Sequence, residues 1–534
     1  MFFKDSTAQS WQWSKQAGGL NNDFVQKMCI DINNNIYIAG EFSSTNFICE
    51  SDTLHCNGNN DFFISKYDLH GNLQWIKGFG GLNPAMTNEG INTINYDAST
   101  NSILVAGLFY GTCAFDNDTI VSVGNSDAFI AKFDLNGNCL WAKRAGGTGQ
   151  DAATAMAVDQ NGGIILSFLI KISGTIDTFS VQPGSILAKY DTAGICLWTK
   201  VTFHTNTNII GYDGYIKALK IYNGNVFALG ASTVNSYSID TISVVTNIQN
   251  GQYFIARFNS SGTACWVKPC AGQDSYGGWE IVVDTSLNSY ITGSFSQIAI
   301  FDNDTLTTNN NDMFIAEYDS TGLLIWVQQS NCSSNAGGQS LALSENGVYL
   351  TGGFVGDVTF GSYALSSGSN GALFIANYNS SGSCLGINQV MNAWGSAIEV
   401  DKNDVSIYVA GGYLDSATFG SNAPLVGLGM SDIFIAKSDA ITGENSSSRI
   451  VNNNLIIYAN PNKGTCNVII PDEFINEKNL VLSIFDNSGK LIQHTNVAMV
   501  EGKIKLNIEA QATGVYNVTL CNKRKCYNGK IVFE

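Results

Sequence analysis

Four carboxylates and three aromatic residues recur at matching places along this 534-residue chain, and they are its best material for chemistry. Asp23, Glu89, Asp151 and Asp213 each stand at the start of a segment that reads as a short strand. Tyr276, Trp279 and Trp394 hold nearby positions further along. Carboxylates converging on one channel mouth could bind a hard cation such as Ca2+ through oxygen ligands. The rings could instead stack on a sugar or a peptide. A competing reading is structural, with strand-start caps and packing between repeats. Little other chemistry is available. The four histidines, His55, His70, His204 and His494, stand in unrelated places. Cys-x-x-Cys, Gly-x-Ser-x-Gly, His-Glu-x-x-His and phosphate-loop motifs are all missing. An acidic pair drawn from different repeats for glycoside hydrolysis stays open.

The elements that would position these residues come from a repeat. A short block occurs seven times: Phe63-Ile-Ser-Lys66, Phe129-Ile-Ala-Lys132, Ile186-Leu-Ala-Lys189, Phe254-Ile-Ala-Arg257, Phe314-Ile-Ala-Glu317, Phe374-Ile-Ala-Asn377 and Phe434-Ile-Ala-Lys437. Its large–small alternation predicts a strand buried mainly on one face. After six of the blocks comes Asp or Asn with Gly three residues later, as in Asp68/Gly71 and Asp134/Gly137, a hairpin signature. The next strand carries Trp75, Trp141, Trp198, Trp266 or Trp326, with Gly386 in the sixth place. Two more strands follow, one ending in Asp (Asp31, Asp97) and one resembling Ile36-Tyr-Ile-Ala-Gly40. We call these A (ending in Asp), B (ending near Gly), C (the Phe-Ile-Ala-Lys block) and D (bearing Trp). Four strands per ~60 residues is the size of a propeller blade with one long loop. The last C strand has no D strand after it, but Trp11-Gln-Trp13-Ser-Lys15 before Ala17-Gly18-Gly19 matches one. The expectation is an all-β chain whose residues 1–440 form a seven-bladed β-propeller closed by the N-terminal strand, leaving no open edge.

Trp-x-Lys, Gly-Gly, the strand ending in Asp, Tyr-Ile-x-Gly and Asp-x-Phe-Ile-Ala-Lys together resemble the SBBP-type bacterial β-propeller repeats, over roughly residues 10–440. That resemblance implies a scaffold and says little about activity. Blade three departs from the pattern, with Ile164-Ile-Leu-Ser-Phe168 in place of Tyr-Ile-x-Gly. Residues 441–455 are polar and Ser/Asn-rich, a linker by composition. Beyond them Asn460-Pro-Asn-Lys-Gly464, Phe485-Asp-Asn-Ser-Gly489-Lys-Leu-Ile492, Gly514-Val-Tyr516 and Lys530-Ile-Val532 occur in order. Residues 456–534 thereby resemble the C-terminal sorting domain of type IX (Por) secretion substrates of Bacteroidetes. The short strands there fit a small Ig-like β-sandwich. The resemblance implies that the type IX machinery is a partner, and that the chain is secreted or held at the outer cell surface. Met1-Phe-Phe-Lys-Asp-Ser-Thr7 has no apolar signal-peptide core, so the expected start is a trimmed one.

Composition narrows the function classes. Hydrophobic residues make up 44% and the net charge is −17, which excludes disorder and makes nucleic acid a poor partner. No apolar run reaches the ~18 residues that a membrane span needs. Residues 456–534 hold nine Lys/Arg and seven Asp/Glu, so the −19 on the remainder places the acidity in the propeller. Length alone suggests three or four domains at ~150 residues each, but the repeat reduces these to two. Among thirteen cysteines, Cys521 with Cys526 and Cys49 with Cys56 are disulfide candidates for an oxidising exterior. Cys139, Cys196 and Cys384 read as small apolar fillers. The tips Asp116-Asn-Asp118-Thr119 and Asp302-Asn-Asp304-Thr305 look metal-like, yet Asx turns explain them. Thr53, Thr119, Thr241 and Thr305 resemble Bacteroidetes O-glycan acceptors. The leading reading is a non-catalytic binding or adhesion scaffold for a glycan or protein. The alternatives are a polysaccharide-acting enzyme with its site on the loop-rich face, and a structural piece of a cell-surface assembly.

Overall fold

The computed structural model describes the chain except for residues 1–10, 57, 82–88, 206–213, 247–251, 271–277, 346, 402–405, 442–454, 456, 459–464, 470–473, 475–479, 487–489, 498–502, 508–511, 522–525 and 534. The chain divides into two compact units, residues 1–443 and 444–534. Among the described residues the regular elements are β-strands.

In the first unit the repeat folds into antiparallel meanders. Asp23–Ile30, Ile36–Phe42, Asp61–Tyr67 and Leu73–Phe79 pair in that order as A, B, C and D. The C–D turn is tight because an Asx side chain caps it: Asp134 Oδ1 accepts the Asn136 and Asn138 amides at 2.9 and 2.8 Å. Gly137 completes the turn at φ +82°. The C block is buried on both faces, not mainly on one. Phe129 and Ala131 pack toward the preceding sheet and Ile130 toward the following one. Sheets are stacked side by side, so the alternation of large and small records fit against two neighbours. Phe62 stacks on Phe129 of the next sheet with centroids 5.1 Å apart.

The B–C connection differs from the expected long loop. It is mostly a small β-hairpin, as in Thr112–Phe115 with Asp118–Val121, lying against the outer strand of the preceding sheet. Cys139–Gly147, for instance, pairs with Gly174–Ile176 of the following hairpin. Backbone groups on an outer strand would otherwise be open to pairing with another chain, and the hairpin covers them.

One joint recurs between successive sheets. The tryptophan of a D strand lies against the C–D turn of the next sheet and donates to its backbone. Trp75 Nε1 reaches Leu135 O at 3.1 Å, and Trp266 Nε1 reaches Ser320 O at 3.1 Å. The basic residue ending the C block donates to the same carbonyl: Lys66 Nζ to Leu135 O at 3.0 Å and Arg257 Nη1 to Ser320 O at 2.7 Å. The turn glycine is what lets the ring approach, since a Cβ on Gly137 would lie 3.0 Å from Trp75. Trp-x-x, Phe-Ile-Ala-Lys and Asp-x-x-Gly are therefore three parts of one contact.

The same joint links the far ends of this unit. Trp11–Gly18 pairs antiparallel with Asp432–Asp439, Ala17 opposite Ile433. Trp13 Nε1 and Lys437 Nζ both donate to Leu69 O, at 3.4 and 3.5 Å. The A strands pack on one another in chain order, and Ala393–Val400 also packs on Asp23–Ile30. Each A strand has a register shift near its start, at Gln26, Asn92, Thr154, Lys217, Trp279, Gln339 and Ser396. A bulge makes two residues oppose one and re-aims a side chain.

The second unit has a three-stranded sheet (Ile457–Tyr458, Thr465–Ile469, Lys503–Asn507) and a four-stranded one containing Leu480–Phe485 and Gly514–Cys521. Val468, Leu482, Ile484, Val518 and Ile531 share its core.

Gly137→Ala should lower unfolding stability by about 1–3 kcal/mol, because it adds left-handed strain and displaces Trp75. Gly368→Ala, where a Cβ meets nothing within 4 Å, should leave urea unfolding unchanged. Equal effects of the two would remove the joint as the reason for that glycine.

Candidate functional site

Among the described residues, Asp23, Glu89 and Asp151 do not come together as one cluster of ligands. Asp23, Glu89 and Asp151 are buried, each in its own junction between strands. Asp23 Oδ1 accepts the Ser43 and Ser44 amides and Oδ2 accepts the Ser44 hydroxyl at 2.8 Å. Glu89 accepts the Gly81 and Tyr110 amides at 2.8 and 2.9 Å. Asp151 accepts the Gly147 and Lys171 amides at 2.6 and 2.8 Å. These oxygens tie the start of an A strand to the ends of its neighbours. Asp213 and Tyr276, and the side chain of Trp279, lie outside the described residues. Among the described residues no three His, Cys, Asp or Glu side chains lie together as metal ligands. That donor set does not fit a cation that takes six to eight oxygens.

Each of these carboxylates has a second acidic neighbour that the sequence reading missed. Asp432 lies near Asp23, Asp61 near Glu89 and Asp127 near Asp151. The Gly-Gly pair explains itself here. A Cβ on Gly146 would lie 2.6 Å from Asp127 Oδ1 and 2.7 Å from Asp151 Oδ2, so only glycine passes between the two carboxylates. Burial pushes the Asp23 carboxyl up to about 6, with bonds from Ser44 and Ser43 opposing and Asp432 adding to the rise. Burial likewise raises Glu89, Asp151 and Asp432.

Trp394 is the one predicted ring whose surroundings are described. It is half-buried and lines a cleft of about 300 Å3 with Ser294, Asn335, Gln339, Asn370 and Val355. The cleft lies where A strands begin and B strands end. Gly412 brings backbone against the ring, for a Cβ there would lie 2.1 Å from Trp394 Cζ2, and Gly353 lies against the Trp394 Cβ.

A second cavity, of about 70 Å3, lies among the A strands themselves and was not anticipated. Lys27, Lys217, Lys220, Glu280 and Glu399 line it. Lys27 and Glu280 form an ion pair across it. Burial raises the Glu280 carboxyl, but Lys27 and Lys220 together hold it below the ordinary carboxylate range. Lysines within the A strands were the available signal.

The other expectations fall out as follows. Cys49 and Cys56 are separate thiols, because Cys49 sits at the tip of the hairpin Asn46–Cys49/Asp52–His55 and Cys56 beyond its open end. Cys521 and Cys526 face each other in backbone register, but their side chains lie outside the described residues. Cys196 is buried and Cys139 and Cys384 partly so, within the apolar clusters between sheets. In Asp116-Asn-Asp118-Thr119 the first carboxylate caps a strand, accepting the Cys139 amide at 2.7 Å and pairing with Lys77. Asp302 does the same for Leu324 at 3.0 Å. Thr53, Thr119, Thr241 and Thr305 are all exposed on these hairpins.

Comparison with known proteins agrees with the repeat and the tail. Residues 12–48 match the family described as a β-propeller repeat, and residues 456–534 match the secretion system C-terminal sorting domain. Residues 12–48 thus carry an SBBP β-propeller repeat, and residues 456–534 a type IX sorting domain. The protein is exported by that system to the cell surface or beyond, and its tail engages the secretion machinery. No helix among the described residues is long and apolar enough to cross a membrane. An uncharacterized WD repeat-containing protein of Acanthamoeba polyphaga mimivirus is 22% identical over 367 residues, 56% of this chain and 26% of its own length. This chain therefore spans about a quarter of that relative. The β-propeller domain of the Trilobed protease from Pyrococcus furiosus superposes with a TM-score of 0.37 at 8% identity, covering 82% of this chain and 99% of that one. A GH43 protein from Bacillus licheniformis gives 0.29 at 10%, covering 81% and 98%. Values this low carry nothing about ligand or chemistry.

A raised carboxyl pKa means that the folded state holds its proton more tightly than the unfolded chain. The Asp23 contribution is therefore complete below its ordinary value of 3.8 and is lost as pH rises through about 6. Asp23→Asn should gain stability relative to wild type between pH 4 and 7 in urea titrations. Asp23→Ala should lose about 1–3 kcal/mol by leaving buried amides unpartnered. A pH-independent difference for Asp23→Asn would refute the assignment.

Proposed function

We propose that this protein is an exported, non-catalytic binding propeller that holds a glycan in the cleft beside Trp394. The cleft carries the reading. An indole face suits the apolar face of a sugar ring, and the side-chain amides of Asn335, Gln339 and Asn370 can both donate to and accept from hydroxyls. The lining offers amide, hydroxyl and aromatic groups. The junction carboxylates that could have served hydrolysis are turned to backbone amides. That favours binding over the alternative of a polysaccharide-acting enzyme.

The scaffold we infer is a seven-bladed ring closed by the strand Trp11–Gly18, followed by a small Ig-like sandwich. In favour of the ring, the joint at Leu69 repeats the joint at Leu135 with the last and first sheets as partners. In favour of the sandwich, two sheets share one core, and Tyr516 bonds the Ala512 carbonyl four residues upstream, as a tyrosine corner does. Thr53, Thr119, Thr241 and Thr305 would carry O-glycans on the hairpins, and Cys521 with Cys526 would bridge the tail's last hairpin.

A glycan array followed by titration of the best binder tests the reading. Trp394→Ala should weaken binding at least tenfold, about 1.4 kcal/mol, with unchanged unfolding of the chain. Unaltered affinity would move the site elsewhere, and release of reducing ends from any polysaccharide would replace binding by catalysis.

A further inference from the structure

The cavity among the A strands is lined by side chains from all seven of them, yet its charged residues are concentrated on four: Lys27, Lys217 with Lys220, Glu280 and Glu399. Local backbone geometry explains why these side chains share one void. Lys217 is the bulged residue of Gly214–Tyr222, so it faces inward beside Ala218, and Lys220 follows Ala218 by the two-residue period of a strand. Lys27 and Glu280 each stand one place after the bulge on their strands and meet across the cavity.

The polar uncharged lining is committed to holding the strands together. Asn92 Nδ2 donates to Ala153 O at 2.8 Å, Asn95 Nδ2 to Met156 O at 3.2 Å and Thr154 Oγ1 to Ile216 O at 2.6 Å. The ammonium groups supply the donors toward the centre. Three of them face two carboxylates, within a unit that carries an excess of negative charge. Burial, then the neighbouring Lys27 ammonium, brings Lys217 down to about 7. Two cations pressed together in a shielded void are stabilised by an anion placed between them. A single water takes about 10–15 Å3 of such a void. About 70 Å3 therefore accommodates several waters or one small oxyanion, but not a sugar ring.

We propose that this cavity is an anion site, in which Lys27, Lys217 and Lys220 hold a tetrahedral oxyanion, sulfate or phosphate, either free or as the ester group of a larger molecule. The site is separate from the Trp394 cleft and does not depend on the glycan reading. Glu280 and Glu399 set its selectivity: Glu280 neutralises Lys27 and Lys220 in part, so the net attraction admits one compact anion.

Sulfate is the better probe because its charge is constant across the range where Lys217 titrates. Calorimetric titration of the full chain with sodium sulfate should show saturable binding at pH 6 that weakens about tenfold by pH 8.5. Lys217→Gln should weaken the pH 6 binding about tenfold and abolish the pH dependence, while Lys217→Arg should retain binding at both pH values. Inorganic phosphate at pH 6 and glucose 6-sulfate separate a free anion from an ester: competition by the first alone identifies a free ion, and competition by the second extends the site to esters. If Lys217→Gln does not fold, the wild-type chain with 13C-dimethylated lysines answers the same question, since the Lys217 resonance should titrate higher in sulfate than in chloride. Absence of saturable binding, equal affinity at both pH values, or a Lys217 titration indifferent to sulfate would overturn the proposal.

Discussion

The first unit depends on a carbonyl that receives two donors. Leu135 O and Ser320 O each take an indole N–H and a cationic side chain from the sheet before, and Leu69 O takes the same pair from the two ends of the unit. A turn oxygen at the rim of a sheet has water to bond with, so a single new hydrogen bond gains little. Two donors together, one of them charged, combine with an indole face laid on glycine. The contact then fixes both the distance and the angle between neighbouring sheets. Phe62 on Phe129 and the apolar clusters between sheets supply the adhesion, but apolar contact is non-directional and would tolerate slippage.

Much of this was legible because the joint is written in adjacent letters. Trp, a basic residue and Asx-x-x-Gly recur in most copies, and a residue that must meet its counterpart in the next repeat recurs at a similar interval. The carboxylates were legible as positions but not as roles. Asp23, Glu89 and Asp151 look like ligands while their future partners, the amides of Gly81, Tyr110 and Lys171, are invisible in a string of side chains. Gly-Gly was legible as a recurring element of the repeat, whereas the use of Gly146 is to let two carboxyl groups approach. The lysines of the inner cavity were hidden for another reason. Strict alternation sends Lys217 and Lys220 to opposite faces of a strand, and only the bulge at Lys217 brings them together.

Charge is sorted by depth in this unit. Outward, carboxylates outnumber cations and cap hairpins or pair with single lysines, as Asp116 does with Lys77. At the junctions, carboxyl groups are buried in pairs, and burial raises Asp23, Glu89, Asp151 and Asp432 above the ordinary carboxylate range. Innermost, the sign reverses. A bulge in every A strand is a costly repeat to preserve for packing alone, since the bulged residue leaves the ladder. Its benefit is a set of side chains at equivalent places whose identity can change without disturbing the strands. Gln26, Asn92, Thr154 and Lys217 occupy the same structural place with three chemistries: carboxamide, hydroxyl and ammonium.

The pairing of Trp11–Gly18 with Asp432–Asp439 has a consequence in time as well as in space. Within this unit the strand is made before its sheet, whose other strands come at the unit's end. Through the synthesis of some four hundred intervening residues, the earliest strand of the unit has no sheet to join. A unit that stops short of residue 432 leaves Trp11–Gly18 without the strand it pairs with. Protection of the Trp11 indole, which packs on Phe419, thus reports that the last sheet of the unit has been made and folded.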